Sequence, residues 1–198
     1  MHRTTVTAHA GALDTVPNSI ESVRACLACG ADILEVDVRF LPDGEPALGH
    51  NSVGPGGARL EEAFALLGEG DMQINLDMKE KSGIPRMAEL VIQYGLQGRA
   101  FMTGMHKKHC VAYRDCGIPS YINSAKIDDA TEAGALGLNI SYKKCTKRLV
   151  RKAHEAGLLV SVWTVNRPKD MRKMLRFGAD NITTRRPGLL LEIKIHEA

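Results

Sequence analysis

The 198-residue chain contains no run of about 18 apolar residues, the length a helix needs to cross a bilayer, and no apolar leader follows Met1-His-Arg-Thr-Thr5. The sequence therefore predicts no stable membrane insertion and a cytoplasmic protein. It also lacks a basic run or stripe. The 26 Lys and Arg stand against 23 Asp and Glu for a formal charge of +3, and they read as interspersed along the chain, which predicts no nucleic-acid partner. Cysteines are too few and odd in number for a disulfide framework: Cys26, Cys29, Cys110, Cys116 and Cys145 point to a reducing compartment. Cys26-Leu-Ala-Cys29 has the spacing of a redox or zinc pair. It lies in an apolar helical stretch with no second pair to complete a metal site, so it reads as packing. What is present, 44% hydrophobic and 25% charged residues, describes one globular domain over residues 1–198 and excludes disordered or fibrous architecture. Nineteen glycines exceed the roughly 7% average usage and suggest many tight connections.

Periodicity alternates along the whole chain. Strand patterns fall at 4–8, 33–39, 72–78, 99–103, 119–123, 136–141, 158–165 and 181–184, and helical patterns at 19–29, 60–67, 85–94, 107–116, 128–135, 146–156, 168–177 and 187–195. Eight strands alternating with eight helices predict a compact (β/α)8 TIM barrel, a single α/β domain without a cap subdomain, although 198 residues are a tight fit. An open doubly wound sheet is the alternative. It would call for a Gly-rich phosphate loop after the first strand, and His9-Ala-Gly-Ala-Leu-Asp14 is not a GxGxxG pattern.

In a parallel barrel the working residues sit at the C-terminal ends of the strands. His9 ends the first strand. Glu35, Asp37 and Arg39 share one face of the second by their period of two, with Ile33, Val36 and Val38 reading as core. Asp77 and Lys79 hold the same phase at the end of the third strand, and His50 closes Pro46-Ala-Leu-Gly-His50. Like charges about 4 Å apart repel by about 4 kcal/mol at an effective dielectric near 20, so three carboxylates need compensation beyond Lys79. Glu35, Asp37 and Asp77 are hard oxygen ligands suited to one divalent cation, Mg2+ or Ca2+. The competing reading is a metal-free network of buried salt bridges among Glu35, Arg39, Asp37 and Lys79. His2, His106, His109, His154 and His196 read as structural or surface residues. By position His9 and His50 read as an acid/base pair near neutral pH, and such a pair beside a hard cation suits displacement at a phosphodiester.

These residues fall in an ordered set of motifs. His9-Ala-Gly11, Pro17-Asn-Ser19, Gly30-Ala-Asp-Ile-Leu-Glu-Val-Asp-Val38, Gly49-His-Asn51, Asp77-Met-Lys79, Trp163-Thr-Val-Asn166 and Gly178-Ala-Asp-Asn-Ile-Thr-Thr184 together resemble the glycerophosphodiester phosphodiesterase family across nearly the whole chain. The resemblance implies a (β/α)8 barrel that hydrolyses a small-molecule glycerophosphodiester to an alcohol and glycerol phosphate. It implies His9 and His50 as the acid/base pair, Glu35, Asp37 and Asp77 as ligands of a divalent cation, Lys79 as a phosphate contact and Trp163 on the substrate side of the mouth. A core position is the competing reading for Trp163.

The sequence departs from the family pattern in several places. Ala10 stands where arginine is usual, which removes a bidentate phosphate contact unless Arg39 or Arg185 substitutes. Asn51 replaces the usual aspartate, Asp77 is one methylene shorter than the usual glutamate, and Arg185 stands where aspartate is common. Two alternatives follow. One is a phospholipase D of the sphingomyelinase D type acting on lysophospholipids, which is similar in its two histidines and Glu, Asp and Asp ligands. The other is a non-catalytic phosphate-ligand-binding barrel, prompted by Ala10. The sequence leaves the oligomeric state open.

Overall fold

Along the strands, odd-numbered positions are rich in Thr, Asp, Asn and Ser while even-numbered ones carry Val, Leu, Ile and Met, and a pleated strand sends the two sets to opposite faces. In the computed structural model, which describes residues 4–54, 56–68 and 70–197, this pattern closes into a barrel. His2 lies outside the described residues. The strands are β1 Thr5–Ala8, β2 Ile33–Phe40, β3 Pro46–Leu48, β4 Gln73–Met78, β5 Ala100–Met105, β6 Ser120–Ile122, β7 Gly137–Ser141, β8 Leu159–Trp163 and β9 Asn181–Thr184. The helices are α1 Ile20–Ala28, α2 Leu60–Leu67, α3 Ile84–Gln93, α4 Lys107–Ala112, α5 Ile127–Ala133, α6 Lys147–Glu155, α7 Pro168–Phe177 and α8 Pro187–Glu197.

The sheet runs β1-β9-β8-β7-β6-β5-β4-β2-β3, and β1 pairs back onto β2. Eight parallel strands thus form a closed ring, and β3 is a short antiparallel appendage on β2. The protein is a single-domain (β/α)8 barrel. Between β3 and β4 the described residues contain one helix, α2, and no cap subdomain.

Local chemistry sets the helix ends. Ser19 and Thr146 accept hydrogen bonds from the amides of Ser22 and Leu149 at the starts of α1 and α6. Proline occupies the first turn of α3 and α7, and left-handed Gly134 and Gly178 end α5 and α7. The helical pattern through residue 116 stops early. Tyr113 caps α4, and the chain then turns through Gly117 at positive φ into β6.

The even-numbered side chains, Val36, Leu76, Met102, Val162 and Ile182 among them, form the main core with the helices. The inner face is divided by height. Ile33, Phe101 and Tyr121, with Leu159 against them, form a separate apolar floor, so Ile33 belongs to the interior and not to the outer set with Val36 and Val38. Above the floor the interior is polar. Thr7 Oγ1 donates to Asn181 Oδ1 at 2.8 Å, and Asn181 Nδ2 donates to Ser161 Oγ at 3.0 Å. Such buried groups are tolerated because they satisfy one another. Cys26 and Cys29 are free thiols, and burial pushes Cys26 up to about 12, which fits the packing role.

Candidate active site

Parallel pairing of β2 with β4 sets Glu35 beside Asn75 and Asp37 beside Asp77, while β4 and β5 set Asp77 beside Thr103. The inward phase of these strands therefore places three carboxylates at the mouth, where a cavity of about 460 Å³ opens. One oxygen from each of Glu35, Asp37 and Asp77 lies within 4.8 Å of the others. Glu35 and Asp37 are only 4% and 3% exposed.

Each carboxylate has a hydrogen-bond partner of its own, and Asp37 and Asp77 also share Lys79. Glu35 Oε2 accepts from the Ala10 amide at 2.7 Å. Asp37 is clasped by Asn18, whose Nδ2 donates to Asp37 Oδ2 at 2.7 Å while its Oδ1 accepts from the Asp37 amide at 3.0 Å. Thr103 Oγ1 lies 3.1 Å from Asp77 Oδ1. Lys79 Nζ bridges Asp37 Oδ1 at 2.8 Å and Asp77 Oδ2 at 2.5 Å. Burial opposes the Lys79 charge, yet Asp77 and Asp37 outweigh it and hold its pKa above the usual value. Glu35 stands outside that bridge. Burial first, then the charges of Asp37 and Asp77, push its pKa well above the ordinary carboxylate value. Three hard oxygen donors against one ammonium make a set whose excess negative charge a divalent cation would offset, so these residues fit one.

His9 follows β1, and its Nδ1 donates to the Ala10 carbonyl at 2.6 Å, because a carbonyl can only accept. That bond leaves Nε2 of the neutral ring as an acceptor. Burial draws His9 below the usual 6.5. Its bond to Ala10 opposes this, Arg185 adds to the lowering, and Asp37 and Asp77 oppose it. His50 lies exposed on the cavity rim. Its Nδ1 donates to Asn51 Oδ1 at 3.0 Å, and its own carbonyl accepts from Arg39 Nε at 2.8 Å.

The fold thus brings His9, Glu35, Asp37, His50, Asp77, Lys79 and Trp163 to one cavity. Trp163 is 40% exposed and not a core residue. The salt-bridge network read from the sequence is half present. Lys79 pairs with Asp37, but Arg39 turns to Glu80 instead of Glu35. Neither Arg39 nor Arg185 lines the cavity in place of the cation absent at Ala10; Lys81 does, with its Nζ on the Met78 carbonyl at 2.8 Å. Sequence reasoning missed Lys81, Asn18, Asn75 and Thr103. Asn75, Asp77, Lys79 and Lys81 share one phase, which was the available signal for two of them.

The model of the glycerophosphoryl diester phosphodiesterase family matches residues 110–189. A glycerophosphodiester phosphodiesterase from Caldanaerobacter subterraneus subsp. tengcongensis is 26% identical over 245 aligned positions, which cover 96% of this chain and 98% of that protein. The chain is thus similar to that family in sequence, over residues 110–189 by the family model and over nearly its whole length by this relative. The alignment is longer than the chain, so that protein contains segments this one lacks. Solved structures share the barrel. A glycerophosphodiester phosphodiesterase from Parabacteroides distasonis superposes with a TM-score of 0.85 at 20% identity, covering 98% of each chain. A phosphodiesterase from Oleispira antarctica, in complex with its product sn-glycerol-3-phosphate, gives 0.86 at 19% identity over 96% of each chain.

Proposed function

We propose that this protein hydrolyses glycerophosphodiesters to glycerol phosphate and an alcohol. The observation that carries this reading is the convergence of two histidines, three carboxylates and Lys79 on one cavity at the mouth of the barrel. Glu35, Asp37 and Asp77 would hold one Mg2+ or Ca2+, which when bound neutralises charge on the phosphate oxygens.

The chain's own groups supply proton transfer and positioning. His9, drawn below 6.5 and therefore neutral at pH 7, offers Nε2 to take the proton of the attacking oxygen, either water's in direct attack or a glycerol hydroxyl's, in which case water then opens the resulting cyclic phosphate to glycerol phosphate. His50, the other histidine of the cavity, delivers a proton to the departing alcohol. Lys79 places its ammonium beside the phosphate while spanning Asp37 and Asp77. Trp163 offers an exposed ring to the alcohol group at the rim. The floor of Ile33, Phe101 and Tyr121 closes the barrel beneath, so substrate enters from the mouth alone.

The test is release of glycerol phosphate from glycerophosphocholine with EDTA, and again with Mg2+ or Ca2+ restored. Metal-dependent release is expected. No release with either cation overturns the proposal. The shorter Asp77 and the uncovered mouth favour a second reading, a phospholipase D of the sphingomyelinase D type. Cleavage of a lysophospholipid with glycerophosphocholine left intact would select it.

A further inference from the structure

The charge of +3 is not spread evenly, contrary to the reading from the sequence. Residues 143–186 hold half of the 26 Lys and Arg against three acids, Glu155, Asp170 and Asp180. Two of those acids are buried and engaged: Asp170 by Arg167, and Asp180 by His154 and the Val160 amide. The rest of the chain holds the other half of the cations against the remaining twenty acids. The molecule is therefore strongly polarised, with one basic side.

That side reaches the mouth. The loops after β1, β7, β8 and β9 join into a continuous rim. Leu13 N donates to the Arg185 carbonyl at 3.2 Å, Arg185 N to Asn166 Oδ1 at 2.9 Å, and Tyr142 N to the Trp163 carbonyl at 3.1 Å. Lys143, Lys144, Arg185 and Arg186 are exposed along it. Large apolar side chains are exposed on the same rim: Leu13 at 44%, Val16 at 65% and Trp163 at 40%. Leu13 adopts a left-handed φ of 59°, a conformation such a residue seldom takes, whereas the left-handed φ values of Asp14 and Asn18, 58° and 59°, are ones Asp and Asn accept readily. Exposed apolar area and one strained backbone position, Leu13, thus fall in one loop beside the basic rim.

We propose that the protein docks mouth-first, as a peripheral protein, on an anionic phospholipid membrane surface. The basic rim supplies attraction to lipid phosphates, which falls off within a Debye length of about 10 Å at 0.1 M salt. Leu13, Val16 and Trp163 supply the shallow apolar contact that such a surface accepts and that tryptophan favours at a headgroup boundary. Aliphatic Leu13 and Val16 match the acyl boundary, whereas a single-stranded nucleic acid is held by several stacking rings and this rim offers one. No helix among the described residues is long and apolar enough to cross a membrane, so docking is the only form the contact takes through the helices. The inference does not depend on the reaction.

Trp163 is the chain's one tryptophan, so its fluorescence reports the mouth directly. The experiment mixes the full chain at 0.1 M salt with vesicles of phosphatidylcholine alone, or with a third of the lipid as phosphatidylglycerol, and repeats the latter at 0.5 M salt. Expected are binding to the anionic vesicles only, a blue shift of Trp163 emission with quenching by brominated acyl chains, and release at high salt. Lys143→Glu with Lys144→Glu should lower partitioning about thirtyfold or more, from about 1 kcal/mol per cation lost. Leu13→Asn with Val16→Ser should lower it about tenfold, asparagine being chosen because it tolerates the left-handed φ. No binding to anionic vesicles at 0.1 M salt overturns the proposal without recourse to any variant. Binding with unchanged Trp163 emission overturns the orientation, and tighter binding of poly(U) than of vesicles replaces the lipid with a nucleic acid.

Discussion

Gly104 in β5 is the position where one added carbon should do the most harm. Its φ is +72°, and a Cβ built there would lie 2.5 Å from the Met78 carbonyl oxygen and 2.6 Å from Asp77 Oδ1. Gly104→Ala therefore carries two costs. A left-handed alanine costs about 1–2 kcal/mol. Overpacking against a backbone oxygen that cannot move freely costs about 1–3 kcal/mol more. A total near 3 kcal/mol should lower Tm by about 6–12 °C in a chain of this size. Because one of the two contacts is Asp77 itself, the rise in Tm on adding Mg2+ or Ca2+ to the EDTA-treated protein should shrink as well. Thermal unfolding by circular dichroism measures both. Gly98→Ala is the control, since Gly98 has no left-handed φ and nothing within 4 Å of the added carbon. A Gly104→Ala protein melting within about 2 °C of wild type would refute the close approach and the account of how β5 holds Asp77.

His9→Ala and His50→Ala should each lower turnover about a hundredfold or more with melting unchanged within a few degrees; near-normal turnover in either removes that residue from proton transfer. Because the folded pKa of His9 lies below 6.5, its neutral form persists into mildly acidic solution. The acid limb of kcat/KM should have its midpoint below 6.5, the matching stability should be full above 6.5 and be lost as pH falls from 6.5 through that lower value, and a bound cation can only lower the folded value further; a midpoint above 6.5 contradicts this. Glu35 has the opposite sign. Its folded pKa is raised, so metal-free stability is favoured at low pH and is lost as pH rises from 4.5 through the folded value. Tm shifts on adding Mg2+ or Ca2+ should be larger at pH 8 than at pH 5, and equal shifts would argue against Glu35 as a ligand.

Much of the barrel was legible because its alternation is nearly pure. Helices at 60–67 and 168–177 fall on the observed bounds, where Gly68 and Gly178 close them. β3 was missed because three residues beginning with proline carry no period, and it exists only by pairing with β2. Ile33 was misplaced for a related reason. An apolar residue gives no sign of which face it occupies when the barrel floor is as apolar as the outer core. At the site, charged residues announced themselves by phase, but their supports did not. Asn18 acts through a left-handed turn nineteen residues from Asp37, and Thr103 reaches Asp77 from the next strand. Such contacts are set by closure of the ring and have no local signature.

The same geometry bears on Ala10, which stands where the family this sequence resembles has arginine. The second residue of the His9-Ala-Gly11 turn has two separable duties here. Its amide donates to Glu35 and its carbonyl accepts from His9, and both bonds belong to the backbone. Gly11 fixes that turn, with φ +74°, its amide on Ser22 Oγ at 2.8 Å, and no room for a Cβ that would lie 2.7 Å from Pro17 Cγ. Replacing the arginine side chain therefore leaves the orientation of His9 and Glu35 intact and removes only a cation from the mouth. Lys79 is already shared between two carboxylates, so much of its charge is spoken for. Lys81, the other lysine on the cavity wall, is held by a neutral carbonyl, so under the proposed reaction it is the lysine expected to meet the phosphate. One lysine presents a point charge where an arginine would grip two oxygens, so under the proposed reaction the loss should fall on substrate affinity, read as a raised KM, and spare the proton transfer proposed for His9.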